Sequence, residues 1–113
     1  MPEDEAATKV TIFLSEDDRL HHRGLHEEIL RRAKDFGIIG ATVWRAMEGF
    51  GQSGRVRTSR FPDASTGLPL VVELIDSPER IEDFLAELRE LAPGSLVTTE
   101  QIKVIGISTP TIE

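Results

Sequence analysis

The glycines at positions 49, 51 and 54 form the most specific chemical pattern in the chain. The segment Gly49-Phe50-Gly51-Gln52-Ser53-Gly54 satisfies G-x-G-x-x-G, a spacing that lets backbone N–H groups approach a pyrophosphate at the start of a helix. Residues 55–62 have no helical pattern, so a Rossmann site is not expected. A glycine hinge at a strand end, whose N–H groups hold an anion, fits better. An ordinary surface loop is the alternative.

Three arginines follow these glycines. Arg55, Arg57 and Arg60 have only Asp63 as an opposite charge in the same stretch, and guanidinium groups bind phosphates and carboxylates through paired hydrogen bonds. We therefore predict an anion site here and a partner-binding loop that uses all three arginines. Solvated surface charge is the alternative. The predicted ligand contacts are Gly49, Gly51, Gln52, Ser53, Arg55 and Arg57.

Three histidines are the candidate metal ligands. His21, His22 and His26 precede and begin an expected helix. If His22 and His26 both lie on it, their four-residue spacing places them on one face, where two imidazoles can bind a divalent cation. Exposed, solvated histidines are the alternative. A metal-binding module that uses these three residues is kept as the second hypothesis for function.

The remaining polar motifs do not predict catalysis. Glu16, Asp17 and Asp18 follow one another directly, and adjacent side chains on an extended chain point apart. Carboxylates before a helix also suit its dipole. A nucleophile elbow, a Ser-His-Asp order and a P-loop are all missing from the sequence. We therefore expect a binding protein without catalytic residues rather than an enzyme.

Composition narrows the class of protein. The chain has 113 residues, enough for one domain, and a net charge of −7, which opposes general binding to nucleic acid or to an anionic membrane surface. It has no cysteine, so a disulfide framework is ruled out. We expect a cytoplasmic protein without nucleic-acid binding or membrane insertion.

Apolar periodicity predicts the order βαββαβ. Alternation indicates a first strand, and i, i+3, i+4 spacing indicates helices that end at Gly37 and at Pro93-Gly94. We predict an α+β, ferredoxin-like domain over residues 8–108, with a disordered leader at 1–7 and a tail at 109–113. The expected elements are strand 8–14, helix 25–36, strand 40–47, a long mobile loop 52–67, strand 68–75, a second helix after Ser77-Pro78, and a last strand at 96–97 and 102–107, either continuous or in two pieces broken at 98–100.

This arrangement leaves one face of the sheet uncovered. The segments 70–75 and 104–107 are apolar at nearly every position, as in strands that are buried on both faces. Trp44 lies on the second strand, and we expect it to pack in the core or in a subunit interface. We therefore predict a homo-oligomer that associates through its sheet faces.

Five short segments together carry a family resemblance: Glu16-Asp17-Asp18-Arg19, Gly40-Ala41-Thr42-Val43, Gly49-Phe50-Gly51, Leu68-Pro69-Leu70-Val71-Val72-Glu73 and Leu96-Val97-Thr98. They resemble the PII-type signalling superfamily. The whole span 10–107 is most similar to a small bacterial PII-like family, domain of unknown function one hundred and ninety.

The resemblance implies a homotrimeric regulator with nucleotide clefts between subunits. It also implies a T-loop that begins at Gly49-Phe50-Gly51, engages a transporter or an enzyme, and responds to ATP, ADP or AMP. The chain departs from the PII pattern at two places. Ser53 stands where PII proteins have glutamine, and the segment 93–97 lacks their glycine- and lysine-containing phosphate loop. The chain has no tyrosine to be uridylylated.

Overall fold

A computed structural model describes residues 4–51, 54–60 and 67–106 of the chain. The strands are β1 (Glu5–Ser15), β2 (Arg19–Leu20), β3 (Arg23–Gly24), β4 (Gly40–Arg45), β5 (Glu48–Gly49), β6 (Arg57–Thr58), β7 (Pro69–Asp76) and β8 (Leu96–Val104), and the helices are α1 (Leu25–Phe36) and α2 (Pro78–Leu91). The four long strands form one antiparallel sheet in the order β4-β7-β1-β8. This is the ferredoxin-like arrangement, so the predicted fold class is confirmed.

Both helices pack against one face of this sheet. Alternate residues of β1 and β7 are buried on that face, because side chains of a strand point to opposite sides in turn. They form a single apolar core with the helix residues. Its members are Val10, Ile12, Leu14, Leu25, Ile29, Ala33, Leu70, Val72, Leu74, Ile81, Phe84, Leu88, Leu91 and Ala92.

The helix boundaries follow local capping signals. Helix α1 spans Leu25–Phe36 as predicted and ends at Gly37, whose φ of 92° is left-handed, a conformation that favours glycine. At the start of α2, the Ser77 hydroxyl accepts a hydrogen bond from the Arg80 backbone N–H at 3.3 Å, and Pro78 occupies the first helical position. None of the helices in the described part of the chain is long and apolar enough to cross a membrane.

Several predicted strand boundaries were wrong. Strand β4 ends at Arg45 and not at residue 47, and β8 ends at Val104 and not at residue 107. Strand β1 begins at Glu5, so residues 5–7 belong to the sheet and Ala7 is buried; only residues 1–3 of the expected leader lie outside the described part. Strand β8 is continuous from Leu96 to Val104, because residues 98–100 pair with residues 9–11 of β1. The alternative of a last strand broken at 98–100 is therefore wrong.

A short hairpin before α1 contains strained backbone. His21 and His22 join β2 to β3 as a two-residue turn, with φ angles of 50° and 74°. Positive φ at both central residues is the pattern of a type I′ turn, which strongly prefers Asn-Gly. Left-handed backbone costs other residues roughly 1–2 kcal/mol each.

A His21→Asn, His22→Gly double variant should therefore be more stable than the wild type. We expect its free energy of unfolding to rise by about 1 kcal/mol, measured by urea denaturation. His26→Asn changes a histidine outside this turn and should bring no gain. If the free energy of unfolding of the double variant is unchanged or lower, the His21-His22 turn is not strained.

Helix α1 also carries an ion-pair network centred on Glu28. The Glu28 side chain is only 7% exposed and pairs with Arg31 and with Arg32, whose Nε lies 2.9 Å from Oε2. Arg32 continues the network to Glu87 on α2 at 3.1 Å. Hydrogen bonds from Arg31 and then Arg32 lower the pKa of Glu28 from 4.5 to about 2.

This network should make stability depend on pH in the acid range. A carboxylate with a lowered folded-state pKa contributes stability above its unfolded pKa and loses it as pH falls through the folded value. The contribution of Glu28 should therefore disappear between pH 4.5 and about 2. We expect wild type and Glu28→Gln to differ in melting temperature near neutral pH and to converge near pH 2. A difference that stays constant with pH would contradict this assignment.

Candidate functional site

A cleft of about 710 Å³ lies where the end of β1, the base of the 45–69 loop and the segment after α2 meet. Its volume falls in the range of sites for small organic ligands, roughly 300–1,000 Å³. Three arginines line it, Arg19, Arg55 and Arg57, together with three carboxylates, Asp18, Glu48 and Glu90. Its apolar lining includes Phe13, Leu20, Leu25, Phe50, Leu91 and Leu96.

The cleft brings together four of the six predicted ligand contacts. Gly49, Gly51, Arg55 and Arg57 all line it, whereas Gln52 and Ser53 lie outside the described residues. Residues 93–96 also line the cleft, although the chain lacks a glycine- and lysine-containing phosphate loop there. The predicted contacts therefore lie on the loop side of this cleft, and the sequence did not indicate the residues on its other walls.

The base of the loop is a small β-ribbon. Strands β5 and β6 pair Glu48 with Thr58 and Gly49 with Arg57. The Thr58 hydroxyl donates to Glu48 Oε1 at 2.9 Å, and Arg60 donates to both Glu48 oxygens at 3.0 and 2.8 Å. Hydrogen bonds from Arg60 and then Thr58 lower the pKa of Glu48. Arg60 thus has an intramolecular partner that its local sequence does not show. Of the predicted mobile loop 52–67, residues 52, 53 and 61–66 lie outside the described residues.

The fold itself does not require glycine at positions 49 and 51. A Cβ at Gly49 would meet Pro69 Cγ at an ordinary 3.6 Å, and a Cβ at Gly51 would have no described atom within 4 Å. Neither residue has a positive φ. The lack of a side chain at Gly49 and Gly51 leaves their backbone accessible from the cleft.

Glu16 and Asp17 follow β1 and form an acidic run. They bind Gly67 and Leu68, the returning end of the loop, where the chain re-enters the sheet. Both oxygens of Asp17 accept the Gly67 N–H, at 3.0 and 2.9 Å, and Arg57 Nη1 lies 2.8 Å from Asp17 Oδ2. The hydrogen bond from Gly67 and then that from Arg57 lower the pKa of Asp17. Glu16 accepts the Leu68 N–H at 2.7 Å and pairs with Arg45 at 2.6 Å.

The local sequence does not indicate these contacts of Glu16 and Asp17. Their partners Gly67 and Leu68 lie about fifty positions away along the chain, so no local spacing reveals the contact. The available signal was the resemblance itself, because Glu16-Asp17-Asp18-Arg19 is one of the marks that carry it.

The predicted helical histidine pair was wrong. His22 lies in the β2–β3 turn, two residues before α1 reaches its N-cap at Gly24, so it does not share a helix face with His26. Neither His22 nor His26 lines the cleft. Within residues 4–51, 54–60 and 67–106, no three His, Cys, Asp or Glu side chains are grouped so that they could hold a metal ion.

The sheet face opposite the helices carries an apolar row that crosses all four strands. Strand register places Trp44 beside Val71, Val71 beside Phe13, and Phe13 beside Leu96. Trp44 is 56% exposed and Phe13 is 39% exposed, so Trp44 is not part of the core of this chain. Phe13, Val71 and Leu96 also line the cleft. The apolar row and the cleft are therefore one continuous surface.

Together, the sheet order, the two helices and the cleft beside a strand-connecting loop define a protein of PII-like fold. A Thermus thermophilus protein described as a PII-like signaling protein aligns with a TM-score of 0.64 and 19% identity, over 92% of this chain and 94% of that chain. CPII from Thiomonas intermedia K12, a nitrogen regulatory PII-like protein solved with ADP, AMP and bicarbonate, aligns with a TM-score of 0.64 and 17% identity, over 90% and 91%. At these identities the likeness is one of fold.

Sequence similarity then identifies the family. The chain belongs to the family DUF190 (Uncharacterized ACR), whose profile matches residues 7–104. A UPF0166 protein of Aquifex aeolicus (strain VF5) is 39% identical over 94 residues, which cover 83% of this chain and 89% of the relative. The resemblance predicted from the sequence is confirmed.

Proposed function

We propose that this chain is a homotrimeric PII-like regulator that binds an adenine nucleotide in its cleft and engages a protein partner through its loop. The observation that carries the proposal is the convergence of Gly49, Gly51, Arg55 and Arg57 on one ligand-sized cleft. A cytoplasmic location and the absence of enzymatic activity belong to the same proposal.

The chemistry of the cleft supports an anionic ligand with an apolar part. Arg19, Arg55 and Arg57 provide guanidinium groups for phosphate oxygens, and the two glycines leave room for close approach to the backbone. Apolar side chains on the walls can pack against a base or a sugar. CPII, which has the same fold, was solved with ADP and AMP.

The open face of the sheet supports the trimer. The apolar row exposes aromatic side chains, and exposed apolar patches of this kind mark interaction surfaces. Because this row continues into the cleft lining, association through it places the cleft at a subunit boundary. That position agrees with the inter-subunit clefts that the PII resemblance implies.

The loop base supports contact with a protein partner. Met47, Phe50 and Val56 are exposed beside Arg55. Aromatic residues, methionine and arginine are enriched in protein interfaces. A partner such as a transporter or an enzyme would thus contact an apolar surface that includes the positively charged side chain of Arg55, beside the bound nucleotide.

Calorimetry with ATP, ADP and AMP, with and without Mg²⁺, tests the ligand. Gly51 lines the cleft, and an added Cβ would have no described atom within 4 Å, so Gly51→Val adds bulk at the cleft wall without a clash at Cβ. This variant should melt as the wild type does and should bind ADP about tenfold more weakly or worse, a loss of about 1.4 kcal/mol.

Ala86→Val is the matched control, because Ala86 is exposed on α2 and does not line the cleft. It should bind ADP as the wild type does. If the wild type binds none of the three nucleotides, or if Gly51→Val binds ADP unchanged, the proposed ligand site is wrong.

A further inference from the structure

One arginine serves both the cleft and the base of the loop. Arg57 lines the cleft, yet its Nη1 lies 2.8 Å from Asp17 Oδ2 and 3.2 Å from the Gly67 carbonyl oxygen. Its side chain is only 16% exposed. We call Asp17, Arg57 and Gly67 the clasp. Asp17 does not line the cleft, so it acts on a ligand there through its contact with Arg57 and through its charge.

The clasp joins both ends of the loop to the end of β1. Arg57 stands on the strand that follows the glycine hinge, and Gly67 stands where the chain returns to the sheet. Next to the clasp, Glu16 and Leu68 exchange a backbone hydrogen bond of 3.0 Å and a side-chain hydrogen bond of 2.7 Å. The returning end of the loop is therefore held mainly by polar contacts with Glu16 and Asp17.

The close contact with Glu16 and Asp17 leaves no room for a side chain at position 67. A Cβ there would lie 2.5 Å from the Glu16 Cβ and 2.7 Å from Asp17 Oδ1, distances at which something must shift. The φ angle of Gly67 is not positive. Glycine is therefore required by the closeness of the acidic run and not by the conformation of the backbone.

We propose that Asp17 competes with the anionic group of the ligand for Arg57. An anion bound in the cleft draws Arg57 away from Asp17 and releases the returning end of the loop at Gly67. This inference rests on the proposed function. A phosphate close to Arg57 shares its positive charge with Asp17 and repels the Asp17 carboxylate. Once Arg57 has moved, the Gly67 carbonyl also loses its guanidinium donor.

The coupling must act in both directions. If the ligand must open the clasp in order to bind, then a substitution that opens the clasp beforehand removes this cost and strengthens ligand binding. Asp17→Asn keeps the size of the side chain and removes the charge that holds Arg57. It should therefore bind ADP about fivefold more tightly than the wild type, at the lower end of typical coupling between sites.

The test uses the full chain, with ADP as the probe and two readouts. Calorimetry gives the affinity for ADP, and amide hydrogen exchange followed by NMR gives the protection of the Gly67 N–H. In the wild type, ADP should speed exchange at Gly67. In Asp17→Asn, whose amide oxygen is a weaker acceptor for the Gly67 N–H than a carboxylate, exchange without ADP should already be faster than in the wild type and should change less when ADP binds. Asp35→Asn removes an exposed carboxylate that pairs with Arg31 on α1 and should match the wild type in both readouts.

The outcomes separate this inference from the proposed function. If ADP binds wild type and Asp17→Asn equally, or if binding leaves the exchange of Gly67 unchanged, the clasp is not a competitor and the proposed nucleotide site still stands. If ADP binds neither protein, both proposals fail. Tighter binding to Asp17→Asn with faster exchange at Gly67, or binding to Asp17→Asn alone, supports the inference.

Discussion

Replacement of Phe13 by aspartate should convert the protein into single chains of 12.6 kDa. Phe13 lies at the centre of the apolar row, on strand β1 between β7 and β8. In a trimer that packs these faces together, each added carboxylate would be buried without a partner, at a cost of several kcal/mol. In the separated chain the side chain is partly exposed and the carboxylate can be hydrated.

Light scattering after size exclusion measures the mass, and Trp44 offers a second readout. Trp44 is the only tryptophan in the chain and belongs to the same row, so its emission should shift to longer wavelength when the trimer dissociates. Val56→Asp is the control, because Val56 is an exposed apolar residue of the loop and not of the sheet. A Phe13→Asp variant that keeps the trimeric mass would exclude association through this face.

Phe84→Ala should have the largest effect on folding. Phe84 is fully buried on α2, and its ring centroid lies 5.3 Å from that of Phe36 on α1. Loss of such a ring costs about 3–5 kcal/mol, because the apolar contacts are lost and a cavity remains. That is a large share of the roughly 5–15 kcal/mol by which domains are stable.

Phe50→Ala makes the same change at a side chain that is 72% exposed and should leave the free energy of unfolding within about 0.5 kcal/mol of the wild type. Urea denaturation of the two variants side by side isolates the effect of burial. A small loss for Phe84→Ala would mean that the helices do not share one core with the sheet.

Elements with local signals were predictable from the sequence. Helix α1 was predicted at its observed bounds because apolar spacing and Gly37 act within a few residues of each other. The start of α2 was equally clear from Ser77-Pro78. The continuity of β8 was not predictable from the sequence. Thr98 and Glu100 have no apolar pattern of their own, and their pairing with β1 holds them in the strand.

The candidate site also combines residues that local sequence indicates with contacts that depend on distant segments. The residue types of the loop glycines and arginines suit an anion, and Gly49, Gly51, Arg55 and Arg57 line the cleft. The engagement of Arg57 by Asp17 and of Arg60 by Glu48 could not be predicted, since each pair forms only when separate segments meet. The two-residue turn at His21-His22 was also missed, because histidine is not a residue that normally signals such a turn.

The two ends of the described chain leave the fold at one corner. Asp4 Oδ1 accepts the Gly106 N–H at 3.0 Å, and Glu5 pairs with Val104 across β1 and β8. The cleft lies at the opposite end of the eleven-residue strand β1, about 30 Å away at the usual rise per residue. A purification tag or surface tether attached at either end should therefore leave the cleft accessible, and a short linker between the two ends should permit a circularly permuted chain.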